Sequence, residues 1–208
     1  MYDMRLSRSP TMQTLVVFCV VFALQSVIRF ISPALMVNLF ALAPPVAVRP
    51  WTLPLSVYAH ANLGHLLSNA VALLFAGLLI ERVTTRFRFH AYFLTVGIVA
   101  GMAQIWVGGL FSVNTPAVLG ASGAVFGLFG YLIAGNPVTD AVLGRLHLSH
   151  RAQIAVVFVL AMLATLMTAS PGVALIAHFT GFAVGLVAGR LHILRAETQA
   201  TSNDRAVQ

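Results

Sequence analysis

Six long apolar runs separated by short hydrophilic gaps organise this chain. They cover about Thr14 to Ile31, Leu63 to Ile80, Phe89 to Gly108, Leu119 to Ala134, Ala152 to Thr168 and Val173 to Leu191. Each comes close to the length, about 20 residues, at which an α-helix spans hydrocarbon. The longest interruption, Ser32 to Ala61, contains Pro33, Pro44, Pro45, Pro50 and Pro54. It also contains an apolar stretch, Leu35 to Leu42, too short to cross and read as an interfacial or re-entrant piece on the outer leaflet. The pattern predicts one all-α polytopic membrane domain over residues 1–208. Residues 1–13 form a cytoplasmic N-terminus, 14–191 a six-helix core with an outer loop at 32–61, and 192–208 a cytoplasmic tail.

Composition makes the bilayer reading firm. The chain is 59% hydrophobic and 8% charged, with mean hydropathy +0.92, whereas a soluble domain carries charge on about a quarter of its residues. The net charge of +7 comes from arginine, since there is no lysine. The arginines form no stripe that would suit nucleic acid. Arg5 and Arg8 precede the first run, Arg82, Arg86 and Arg88 separate the second from the third, Arg145 and Arg151 the fourth from the fifth, and Arg190, Arg195 and Arg205 follow the sixth. The alternate gaps Gly109 to Val118 and Ala169 to Gly172 are uncharged, with Arg49 of the long loop the exception. Positive charge faces the cytoplasm, so both termini are expected there, in a multi-pass cell-membrane protein. The all-arginine usage fits a GC-rich bacterial genome. A signal peptide is the rival reading of the first run, but no small-x-small cleavage pattern follows and a retained helix is expected. The lone Cys19 excludes an intramolecular disulfide and reads as a small buried hydrophobe.

Polar groups at membrane depth are costly, so the few present need a reason. On this topology His65, Asn69, Ser122 and His178 all lie near the outer ends of their runs. His65 and Asn69, four apart, share one helix face; they suit either interhelical hydrogen bonding or a pair of donors aimed at a developing negative charge. Ser122 sits in Gly120-Ala-Ser122-Gly123, and His178 heads a stripe with Gly181 and Gly185. A small-residue seam of Gly120, Gly123, Gly127, Gly181 and Gly185 lets two backbones approach closely, and so lets the serine on one meet the histidine on the other. A serine hydroxyl needs a base to take its proton, and a neutral imidazole serves near pH 7. The acids Asp3, Glu81, Asp140, Glu197 and Asp204 all fall on the cytoplasmic side. A hydrolase built here would run on a Ser122–His178 dyad, with packing orienting the imidazole.

Three separated motifs carry a family resemblance: His60-Ala-Asn-Leu-Gly-His65-Leu-Leu-Ser-Asn69, Gly120-Ala-Ser122-Gly123-Ala-Val-Phe-Gly127, and Ala177-His178-Phe-Thr-Gly181 continuing to Gly185. Together, in this order, they resemble the rhomboid intramembrane serine proteases of the bacterial six-helix type. Glu81-Arg82 and Pro50-Trp51 resemble the family too. The resemblance implies a six-transmembrane-helix bundle with Ser122 as nucleophile and His178 as general base. His65, Asn69 and the Ser122 N–H would hold the oxyanion. Phe126 stands where many members carry a tyrosine whose ring stacks on the histidine. Substrates would be single-pass transmembrane helices cut near their outer ends, without cofactor, and run five or the segment after it is the expected gate.

Other readings are weaker. His147 and His150 lack a third metal ligand, and no HExxH pattern or membrane-embedded aspartate pair exists. His60 is expected near the cavity mouth. A solute transporter would continue its polar path toward the cytoplasm, which this chain does not. A non-catalytic, client-binding relative would usually lack the serine or the histidine.

Overall fold

The computed structural model describes residues 8–110, 117–136, 139, 141, 149–169 and 173–196. Eight α-helices lie among them: α1 Pro10–Ile31, α2 Pro33–Phe40, α3 Thr52–Tyr58, α4 Leu63–Ile80, α5 Arg86–Leu110, α6 Ser122–Ala134, α7 His150–Leu166 and α8 Leu175–Arg190. Arg5, Arg145 and Arg205 of the charge pattern lie outside the described residues, as do Asp3, Asp140, Glu197 and Asp204.

Local chemistry sets the helix starts. Ser9 and Ser32 each cap a helix whose first residue is proline, with Oγ accepting from Met12 N and Leu35 N. Asn62 and Ser149 cap α4 and α7 in the same way. The apolar stretch of the long loop becomes α2, and Trp51 stands just ahead of α3.

Helix α1 buries one face, Thr11, Thr14, Phe18, Val21 and Gln25, while Val16, Val20, Leu24 and Val27 stay exposed. Cys19 is on that outer face rather than buried, because it falls between the positions that turn inward. Leu67, Val71 and Phe75 of α4 and Ile154 and Phe158 of α7 are likewise exposed. An apolar outer surface of this extent marks a membrane protein. The three helices α1, α4 and α5 are long and apolar enough to cross a membrane.

Helix α6 is shorter than its apolar run, at 13 residues or roughly 20 Å. Gly120, at φ +136°, cannot continue a helix, and Val118 pairs with Leu42 in an isolated antiparallel bridge. Irregular backbone of this kind is tolerated at membrane depth only when protein surrounds it. Here Leu42 and Ala121 are fully or almost fully buried.

Cross-links tie the bundle at both ends. At one, Ser9 Oγ donates to Glu81 Oε2 at 2.7 Å, Arg88 donates to the Arg195 carbonyl, and Arg195 to the Gly135 carbonyl at 3.1 Å. At the other, Arg29 in the last turn of α1 donates to the Ala61 carbonyl at 2.7 Å. Its charge there complements the negative end of the helix dipole.

The closest packing is between α6 and α8. A Cβ on Gly181 would lie 2.0 Å from the Gly123 carbonyl oxygen, and one on Gly185 would lie 2.2 Å from that of Gly127. A backbone obstacle cannot rotate away as a side chain can. Gly181→Ala is therefore expected to force the helices apart and to destabilise by about 1–3 kcal/mol, the usual cost of overpacking. Gly109→Ala, where a Cβ meets nothing within 4 Å, should leave the thermal unfolding midpoint in detergent unchanged.

Candidate active site

The first turn of α4 orients His65. Asn62 Oδ1 accepts from His65 N at 2.8 Å, and His65 Nδ1 accepts from the Ala61 N–H at 3.4 Å. An imidazole nitrogen that accepts leaves the proton on the other, so Nε2–H is the free donor. The ring lies against Gly120: a Cβ there would sit 2.6 Å from His65 Cε1 and 2.9 Å from Nε2. One turn along, Asn69 is buried and its Nδ2 donates to the His65 carbonyl at 2.8 Å. The amide thus braces its own helix.

Ser122 opens α6 at the end of a tethered segment. Leu42 and Val118 exchange two backbone hydrogen bonds of 2.8 Å, and Gly120 N donates to the Ser56 carbonyl at 2.8 Å. The long loop at 32–61 therefore fixes the chain just ahead of the serine. No side chain caps α6, and the first N–H groups of a helix have no intrahelical partner. They form the positive end of its dipole, suited to an anion. A small cavity beside Ser122 is lined by Ser56, Leu119, Gly120 and Gly123, by Ala174 just ahead of α8 and by Ala177 within it.

His178, in the first turn of α8, reaches the same face. Its ring stacks on Phe126, with centroids 4.3 Å apart and planes 16° from parallel. Phe126 follows Ser122 by four residues, so both project from one side of α6. The start of α8 is pinned by Gln104 of α5, whose Oε1 accepts from Ala177 N at 3.1 Å. Thr168 Oγ1 lies 3.0 Å from His178 Nδ1. Among the described residues no hydrogen bond joins Ser122 Oγ to His178; α6–α8 packing and the Phe126 stack hold them on one face.

Of the seam glycines, Gly123 and Gly127 of α6 meet Gly181 and Gly185 of α8. Gly120 does not belong with them: it precedes the helix, and its missing side chain makes room for His65. His60 is not at a mouth either. It is fully buried, with its ring 4.8 Å from Phe18 and its N–H donated to Gln25 Oε1 at 2.9 Å. Burial first, then the neighbouring His65, lower its pKa to about 4. The neutral ring directs Nδ1–H at the Tyr58 carbonyl. Glu81 stands sixteen residues along α4 from His65, roughly 24 Å away. His147 lies outside the described residues, and of His150 only the backbone is described.

Thr168 and Gln104 were not singled out from the sequence. Gln104 carried a usable signal, an amide within an apolar run. Thr168 carried little, because it closes a run where polar residues are ordinary.

A sequence model of the Rhomboid domain matches residues 47–195. Among curated proteins, the chain is 31% identical to RHOMBOID-like protein 4 of Arabidopsis thaliana over 146 residues. That match covers 70% of this chain and 34% of the relative, so the chain spans about a third of the relative's length.

Gly120→Ala places a side chain on a positive-φ residue and against the His65 ring. It should destabilise by about 1–3 kcal/mol, read as a lower unfolding midpoint in detergent.

Proposed function

The chain belongs to the rhomboid family, and from that premise we propose that it is an intramembrane serine endopeptidase working through a Ser122–His178 dyad. The observation that carries the reading is the stack of His178 on Phe126, one helical turn from Ser122 on the same face of α6. In the proposed cycle His178 takes the hydroxyl proton as Ser122 Oγ attacks the scissile carbonyl, then returns it to the leaving amine. The oxyanion that forms meets the unclaimed N–H groups at the start of α6. The His65 Nε2–H beside Gly120 and the second N–H of Asn69 are the side-chain donors.

The substrates proposed are transmembrane helices of other proteins, cut near their outer ends. An intact helix hides its carbonyls in hydrogen bonds, so the cut segment must unwind first. The same reading places six crossings in the membrane of a bacterial cell, both termini cytoplasmic. The segregation of Arg8, Arg82, Arg86, Arg88, Arg190 and Arg195 to one end of the bundle supports that orientation. A client-binding relative that does not cut would usually lack the serine or the histidine, and this chain keeps both.

Purified protein in liposomes with a model transmembrane substrate tests the proposal. Ser122→Ala and His178→Ala should each reduce cleavage to background. His65→Ala and Asn69→Ala should retain measurable activity, with losses near 10²–10³-fold, the range for one oxyanion donor. Cleavage by Ser122→Ala at the wild-type rate would rule the assignment out.

A further inference from the structure

Helix α7 ends beside the base. Among its described side chains only Ala161 and Thr165 are buried, and it packs on α8. Two residues past its end, Thr168 turns back, its N–H donating to the Thr165 carbonyl at 3.1 Å. The Thr168 hydroxyl makes two contacts: 2.9 Å to the Thr165 carbonyl and 3.0 Å to His178 Nδ1.

A hydroxyl has one proton to give. The Thr165 carbonyl can only accept, whereas an imidazole nitrogen can donate. The proton arrangement that satisfies both contacts sends the hydroxyl proton to Thr165 O. Nδ1–H of His178 then points at the Thr168 lone pair. The imidazole proton is thereby held on Nδ1, and Nε2 keeps its lone pair as the basic nitrogen.

We propose that Thr168 is a positioning residue that holds His178 in the Nδ1–H tautomer, the part an acid plays in a triad, here filled by a neutral hydroxyl at the end of α7. The inference rests on the protease reading for its consequence in rate, but the tautomer itself does not depend on activity. A hydroxyl can receive Nδ1–H without carrying charge into the membrane, where a buried carboxylate is expensive. It orients the imidazole but lends less stabilisation to an imidazolium than a carboxylate would. The contact also joins the base to the most exposed of the helices around the site, so the position of α7 and the orientation of His178 are set together.

The test uses the full chain in liposomes and compares wild type with Thr168→Val, which keeps the shape and loses the hydroxyl, and Thr168→Ser, which restores it. Nitrogen-15 resonances of the histidine side chains, with His178 identified by loss of its signals in His178→Ala, report the tautomer directly. Wild type and Thr168→Ser should show His178 protonated on Nδ1, and Thr168→Val should show a mixture or the Nε2–H form. Cleavage of the model substrate should fall about tenfold in kcat for Thr168→Val, the rate equivalent of one neutral hydrogen bond. KM should be little changed, and Thr168→Ser should restore the rate. An Nε2–H tautomer in the wild type overturns the proposal, as does a Thr168→Val protein with wild-type resonances and kcat. If the wild type cuts nothing, the protease reading falls and the resonances still decide the Thr168 bond.

Discussion

Between Gly123 and Gly181 there is no room for a methyl group, and the same holds between Gly127 and Gly185. The other features of the site hang on this contact. Because α6 and α8 meet backbone to backbone, a serine in the first turn of one and a histidine in the first turn of the other come onto a common face. Tyr92 fastens the pair from α5, its buried hydroxyl donating to the Gly127 carbonyl at 2.9 Å. In a bilayer no hydrophobic force drives helices together, so close packing and such polar fastenings carry the association.

Around that pair, backbone hydrogen bonds and uncharged side chains do the positioning. The segment before Ser122 is pinned by Leu42 and by Ser56, both from the loop at 32–61. His65 is oriented by an asparagine cap and the Ala61 N–H, and His178 by Thr168 and Phe126. The two imidazoles are held in opposite senses. His65 accepts at Nδ1 and offers a proton at Nε2; in the arrangement inferred for His178, Nδ1 carries the proton and Nε2 is bare. A single residue type thus supplies a donor and an acceptor without a formal charge.

Much of this was legible in the sequence, and the reasons are physical. Apolar length reports membrane helices directly, which is why Leu63–Ile80 agrees at both ends and the other helices to within a few residues. Glycine spacing reports close helix contact, because only a missing side chain permits it. The misreadings share one cause. Spacing alone groups Gly120 with the seam, yet its φ is +136° and its N–H donates to Ser56, far away in the chain. The sequence points His60 to a mouth and Cys19 to a core, but which way a residue faces depends on tertiary packing. The bridge between Leu42 and Val118 is likewise a pairing of two apolar residues that no local pattern distinguishes.

The uneven grip on the helices has a mechanical consequence. The α6–α8 joint is incompressible, since carbonyl oxygens already abut α-carbons along it. Helix α7 is attached through few buried side chains, Ala161 and Thr165 among those described. Strain applied to such an assembly gathers in its softest joint, and the stiff pair rides as a single body. Any displacement of α7 would therefore be passed to His178 through the Thr168 contact, whereas α6 and α8 would move together.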